Sequence, residues 1–293
     1  MKTTIRVLLN SNSKGSHQET FNIIQFPSGE IGGNFSEDLV DFAEHAAGKI
    51  ENVIFTVQGY DKDTLFALAM AKEAIDRLIP QKATMKTVLF GFLPNARYDR
   101  HMFKGDSAAL KVFANLVNAM GFDAVCALDT HSNVAENLFK CFYNIPQKEA
   151  AVHFASDPRI DYLVAPDAGA AKKTEEAAKE VEKPYITMAK VRNLKTGEIT
   201  GMRILDDVDL TGKTVMILDD ICDGGRTFIE AAKYLREAGA ERVELYVTHG
   251  IFSKGVENLL DNGIDHIYTT DSLGDEKDRG LSHFSQVTVA NIE

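Results

Sequence analysis

The chain is poor in several things, and each shortage removes a class of function. Its 293 residues include only three cysteines, Cys126, Cys141 and Cys222, an odd count with no C-x-x-C spacing. That argues against a disulfide framework and fits a reducing compartment, so a cytoplasmic location is expected. No apolar run is long enough to cross a bilayer. The amino-terminal MKTTIRVLLNSNSKGS carries too short an apolar stretch for a secretory signal. Positive charge is also scarce: 32 Lys and Arg stand against 43 Asp and Glu, a net charge of −11. That sign disfavours a broad nucleic-acid or membrane-binding face, although anionic small molecules can still be held locally by backbone amides and metal ions. TGKT at 211–214 lacks the earlier glycine of a Walker A loop. No G-x-S-x-G, H-E-x-x-H, EF-hand, Rossmann glycine pattern or zinc spacing occurs. Serine hydrolysis, zinc proteolysis and hydride transfer are thereby disfavoured.

What is present is a globular composition, 44% hydrophobic and 26% charged, long enough for two ordinary domains or one large one. Short β-branched runs at Val53–Val57, Thr87–Gly91, Ala124–Leu128, Tyr162–Ala165, Thr214–Leu218 and Val243–Thr248 read as strands. Between them lie helical patterns. One follows Asp106 and Ser107, either of which can cap it, and stops at Gly121; another spans Phe228–Ala238 before Gly239. This alternation predicts an α/β fold of mainly parallel sheets flanked by helices, with ligands at the carboxyl ends of the strands. YNIPQKEA at 143–150 interrupts it, which suggests a boundary between domains 1–147 and 148–293.

The most informative stretch is TVMILDDICDGGRTFIEAAKYLREAGA, 214–240. A strand ends in Asp219 and Asp220, a loop with Asp223, Gly224 and Gly225 follows, and Thr227 opens a helix. Glycines permit close backbone approach, and a helix start offers free amides to a phosphate. Two carboxylates beside an anion need another partner on the same ligand, such as ribose hydroxyls, reached directly or through a metal.

These residues resemble the ribose 5-phosphate loop of the phosphoribosyltransferase-type fold, DD-x-x-D-T-G-G-T. FPSGE at 26–30, PNARYDR at 94–100, LDTHS at 128–132, PDAGAAKK at 166–173, KVR at 190–192 and THGIFSKG at 248–255 extend the likeness to the ribose-phosphate pyrophosphokinases. They occur in that family's order. The resemblance implies two phosphoribosyltransferase-type domains and transfer of the β,γ-diphosphoryl group of ATP to the anomeric hydroxyl of ribose 5-phosphate. It implies that Lys190 and Arg192 act catalytically on a flexible loop continuing as NLKTGEITG. Phe26, Ser28, Gly29, Glu30, Arg97, Tyr98 and His131 would bind ATP, the FPSGE loop serving a neighbouring subunit of a homo-oligomer. Ribose 5-phosphate would be held by Asp167, Arg192, Asp219, Asp220, Asp223, Gly224, Gly225, Arg226 and Thr227. Asp129, His131 and Asp167 would hold Mg²⁺; since magnesium prefers oxygen, His131 would act through water or contact a phosphate instead.

The chain departs from the family pattern at several points. Arg226 stands where the loop has glycine, either adding a phosphate contact or facing solvent, and Gly224 replaces a hydroxyl residue. Tyr98 replaces glutamine, and HMFKGDSAA after Arg100 lacks R-x-P-I. Oligomer size and allosteric control therefore do not carry over. Two rivals remain: a phosphoribosyltransferase consuming phosphoribosyl pyrophosphate, and a non-catalytic regulatory homologue. The first has no use for PNARYDR, DTHS and the Lys-Arg pair together, and the second would be expected to have lost some of them.

Overall fold

A computed structural model describes residues 2–46, 48–80, 84–192 and 199–292; for 191, 192, 199 and 200 it describes backbone only. Two compact units emerge, Met1–Ile145 with Ser272–Gly274, and Pro146–Asp271 with Asp275–Glu293. The 143–150 segment does not interrupt the alternation as expected. Its residues complete a strand ending at Ile145 and begin a helix at Lys148, with Pro146 at the junction.

The first unit contains β1 (Thr4–Ser11), β2 (Gly15–Thr20), β3 (Asn22–Gln25), β4 (Ile31–Asn34), α1 (Glu37–His45), β5 (Ile50–Gln58), α2 (Thr64–Leu78), β6 (Met85–Phe90), α3 (Ala109–Ala119), β7 (Ala124–Leu128) and β8 (Phe142–Ile145). Its main sheet runs β2-β1-β5-β6-β7-β8, with β5 to β8 parallel and β1 antiparallel to both neighbours. Strand periodicity buries Ile5, Val7 and Leu9 of β1 and Val53, Phe55 and Val57 of β5; Leu110, Phe113, Ala114 and Val117 of α3 close over the same core. Asp106 and Ser107 do not cap α3. Ala108 holds the cap position, and the Asp106 carboxylate instead accepts from the amides of Ser107 and Met102 at 2.9 and 3.1 Å. β3 and β4 form a separate hairpin.

The second unit contains α4 (Lys148–Ala155), β9 (Tyr162–Ala165), α5 (Ala171–Glu180), β10 (Tyr185–Arg192), β11 (Ile199–Ile204), β12 (Thr214–Cys222), α6 (Arg226–Glu237), β13 (Arg242–Gly250), α7 (Glu257–Leu260), β14 (His266–Thr270) and β15 (Val287–Ala290). The sheet order is β11-β10-β9-β12-β13-β14-β15, parallel except for β10–β11. Leu163, Met216, Leu218 and Tyr246 pack with α4 and α5 residues Ala151, Phe154 and Ala177. Val215, Ile217, Leu245 and Val247 pack with Phe228, Ala231, Ala232 and Leu235 of α6. Both units are thus α/β, with mainly parallel sheets flanked by helices.

Candidate functional site

β12 does not stop before the aspartates. It continues to Cys222 because Ile221 and Cys222 still pair with His249 and Gly250 of β13, so Asp219 and Asp220 sit inside the strand. The loop proper shrinks to Asp223–Gly225. Gly225 adopts φ 77° and precedes α6, which begins at Arg226. Among the described residues, no acceptor is found for the amides of Gly224, Gly225, Arg226 and Thr227. Those donors at a helix start are free to take an anion. The turn after β13 braces the loop from one side: Phe252 and Ser253 donate amides to the carbonyls of Cys222 and Asp223 at 3.0 and 3.1 Å.

Gly225 has two reasons to be glycine. A Cβ there would lie 2.8 Å from Cδ2 of the buried Leu259, and its backbone is left-handed. Gly225→Ala is therefore expected to cost about 1–3 kcal/mol of stability, read as a lowered urea midpoint at unchanged slope.

The carboxylates converge with two lysines. Lys173 of α5 has its Nζ 3.5 Å from Asp220 Oδ2. Lys190 Nζ donates to Asp167 Oδ2 at 2.9 Å. The other Asp167 oxygen accepts from the amides of Gly169 and Ala170 at 2.9 and 3.3 Å, shaping the turn into α5. Asp219 Oδ1 accepts from the Asp220 amide at 2.9 Å. Burial, then the Asp220 and Asp167 charges, push Asp219 well above the usual carboxylate range. Burial likewise pushes the free Cys222 thiol up to about 12, which keeps it unreactive.

Lys190 does not stand on a loop. Residues 185–192 form a strand that pairs antiparallel with β11, with Lys190 opposite Met202. The side chain of Arg192 and all of residues 193–198 lie outside the described residues.

In the first unit, the turn between β3 and β4 carries Phe26, Ser28, Gly29 and Glu30. Phe26 is 50% exposed, Ser28 Oγ donates to Glu30 Oε2 at 2.9 Å, and Gly29 has φ 88°. Arg97 and Tyr98 are exposed after Asn95, which adopts φ 63°. Asp129 is buried with φ 42°, its amide donating to Ile145 at 2.7 Å, and His131 is exposed. The arginine and histidine motifs are tied together by Asp99. It receives Ser132 Oγ at 2.6 Å and Arg100 Nε at 2.7 Å, and Arg100 first, then Ser132, hold its carboxyl far below the ordinary range.

Sequence reasoning assigned no role to Lys173, Asp99 or Arg279. The first two lie within PDAGAAKK and PNARYDR, the signal that was available. Arg279 donates Nη2 to the Gly250 carbonyl and lies 5.9 Å from the Phe252 ring centroid, supporting the bracing turn. Burial lowers its pKa to about 10.

Asp167, Asp219 and Asp220 offer only oxygen, the donor a hard divalent cation takes, and a cation beside Asp219 and Asp220 would relieve the repulsion that raises Asp219. Among the described residues no three His, Cys, Asp or Glu side chains form a group that could hold a metal by themselves. Magnesium sites built from one or two carboxylates plus ligand oxygens do not need such a group.

The site thus joins a mainly parallel sheet, paired aspartates within a strand, a glycine loop and a helix start with free amides, and comparison with known proteins places this arrangement in the phosphoribosyltransferase class. The Phosphoribosyl transferase domain model matches residues 134–275. A ribose-phosphate pyrophosphokinase of Cereibacter sphaeroides is 31% identical over 247 residues, covering 82% of this chain and 72% of the relative. One from a Marinomonas species is 28% identical over 250 residues, covering 81% and 76%. The chain belongs to the ribose-phosphate pyrophosphokinase family. Its fold matches the crystal structure of phosphoribosylpyrophosphate synthetase from Mycobacterium smegmatis with a TM-score of 0.72 at 24% identity, over 93% of this chain and 86% of that one. Among the described residues no helix is long and apolar enough to cross a membrane.

Proposed function

We propose that the protein is a magnesium-dependent ribose-phosphate diphosphokinase of the cytoplasm, converting ATP and ribose 5-phosphate to phosphoribosyl pyrophosphate and AMP. The observation that carries this reading is the open amide row of Gly224–Thr227 beside the Asp219–Asp220 pair, with Lys190 held at Asp167 in the same unit. The loop amides take the 5-phosphate, and Asp219, Asp220 and Asp223 accept from ribose hydroxyls. The anomeric oxygen then bonds to the β-phosphorus while the bond from that phosphorus to the oxygen of the α-phosphate breaks. AMP departs with the electron pair, and the hydroxyl proton passes to solvent. Such transfers depend on alignment and charge neutralisation. Lys190 and Arg192 supply cations to the transferring group. Bound Mg²⁺ would neutralise phosphate charge and help orient the nucleotide; in the second unit Asp167, Asp219 and Asp220 are its candidate carboxylates, and in the first Asp129 and His131 are its candidate residues.

ATP is assigned to Phe26, Ser28, Gly29, Glu30, Arg97, Tyr98 and His131. Phe26 stacks on adenine, Glu30 accepts from its exocyclic amine, and Arg97 reaches the triphosphate. In this reading the FPSGE turn completes the site of a neighbouring copy in a homo-oligomer. The test is to incubate the pure protein with ATP, Mg²⁺ and ribose 5-phosphate and to resolve the nucleotides. AMP is expected in step with phosphoribosyl pyrophosphate; ADP in its place, or no turnover, refutes the reading.

A further inference from the structure

Gly224 is an unusual occupant of the phosphate loop. Its backbone is not left-handed, and a Cβ there would meet only ordinary van der Waals contacts. Neither conformation nor crowding therefore demands glycine. Cε and Cδ of Lys254 lie 3.7 and 3.8 Å from the position a Gly224 Cβ would take, and Ser253 Oγ lies at 3.9 Å. The lysine stem thus packs beside the loop at Gly224, in contact range of any side chain there. Its ammonium is one bond beyond Cε, beside a loop whose amides from Gly224 to Thr227 have no acceptor among the described residues. Lys254 is exposed, and no described carboxylate pairs with it. Its backbone position is fixed by neighbours: Ser253 N donates to Asp223 O, and Gly255 N to Phe252 O at 2.9 Å.

We propose that Lys254 is a binding residue for the substrate's phosphate monoester, its stem packed beside the loop at Gly224. The proposal deepens the reading that this loop holds ribose 5-phosphate. The sequence has a hydroxyl-type loop position filled by glycine, and a residue 30 positions later brings a cationic side chain alongside it. A charge-assisted N–H···O bond to a dianion replaces a neutral hydroxyl contact. The flexible four-carbon stem lets the ammonium follow the phosphate, as lysines commonly do at phosphate sites.

Isothermal titration of the full chain with ribose 5-phosphate reads the effect without requiring turnover. Lys254→Ala is expected to weaken binding by about 5- to 20-fold, and Lys254→Arg by less than about 3-fold. Adding Gly224→Thr to Lys254→Ala is expected to recover part of the loss, because the hydroxyl re-enters the vacated space. In steady-state assays the larger share of the Lys254→Ala effect falls on KM for ribose 5-phosphate. Unchanged affinity in Lys254→Ala, with AMP still formed by the wild type, overturns the role of Lys254 and leaves the reading of the enzyme intact. Weakened binding in Lys254→Ala with no AMP from the wild type overturns the reaction and sustains Lys254. A wild type that binds neither ribose 5-phosphate nor inorganic phosphate overturns both.

Discussion

Replacing Lys190 by alanine is expected to lower kcat by about 10²- to 10³-fold while moving KM for ribose 5-phosphate by less than about 3-fold. The expectation follows from where the ammonium stands. It is mounted on a strand, paired through β11, and held 2.9 Å from a carboxylate that also shapes the turn into α5. A cation positioned by regular backbone loses little entropy when it meets a charged transition state, and its contact is worth most in a site with little water. Folding should barely change. The Lys190 and Asp167 side chains are 27% and 33% exposed, so the pair is screened and contributes about 1 kcal/mol or less, and the Asp167 turn keeps its two amide donors. Steady-state kinetics with a thermal melt separates the two effects. A loss confined to KM, or a large fall in melting temperature, would contradict this placement.

Asp219→Asn should separate activity from stability in opposite directions. The folded chain holds the Asp219 pKa well above its ordinary value, by burial first and the Asp220 charge second. A carboxyl raised in this way contributes stability that is complete below the unfolded pKa and is lost as pH rises through the folded one. Above that point the wild type carries an ionised group that its surroundings disfavour. Asparagine has nearly the same shape and no charge. Asp219→Asn is therefore expected to melt several degrees higher than the wild type at pH 8 without metal, with the gain shrinking toward pH 4. Its kcat/KM should fall by about 10²-fold or more, because the carboxylate is assigned to the ribose and the cation. Added Mg²⁺ should raise the wild-type melting temperature more than that of the variant. Equal melting curves for both proteins at pH 8 would remove Asp219 from the set of strained groups.

Much of this architecture was legible in the residues, and the illegible part has a common cause. Thr214–Leu218 and Tyr162–Ala165 read as strands because continuous β-branched and aliphatic runs suit a strand buried on both faces. Gly121 and Gly239 marked helix ends correctly, with φ of 71° and 100°. YITMAKVR and ITGMRI do not read as strands because lysine, arginine and glycine mask the alternation, and only their pairing with each other settles it. The same holds for the end of β12. Whether Asp219 belongs to a strand or a loop is decided by β13, some thirty residues later. Family motifs located most of the charged groups, but not which of them touch. The Lys190–Asp167, Lys173–Asp220 and Asp99–Ser132 contacts each join residues 23 or more positions apart. The contact of Lys254 with the loop at Gly224 is likewise a property of the fold.

The Lys190–Asp167 contact also bears on metal uptake. Asp167 has one oxygen committed to its turn and the other to the lysine, so a cation that takes the second oxygen competes with the ammonium for it. Loading the carboxylate and freeing the lysine are then coupled, each favouring the other by the modest worth of the contact. The midpoint of Mg²⁺ activation should accordingly fall by about 5-fold or less once Lys190→Ala leaves that oxygen without a competitor, measured by titrating the metal at fixed substrates.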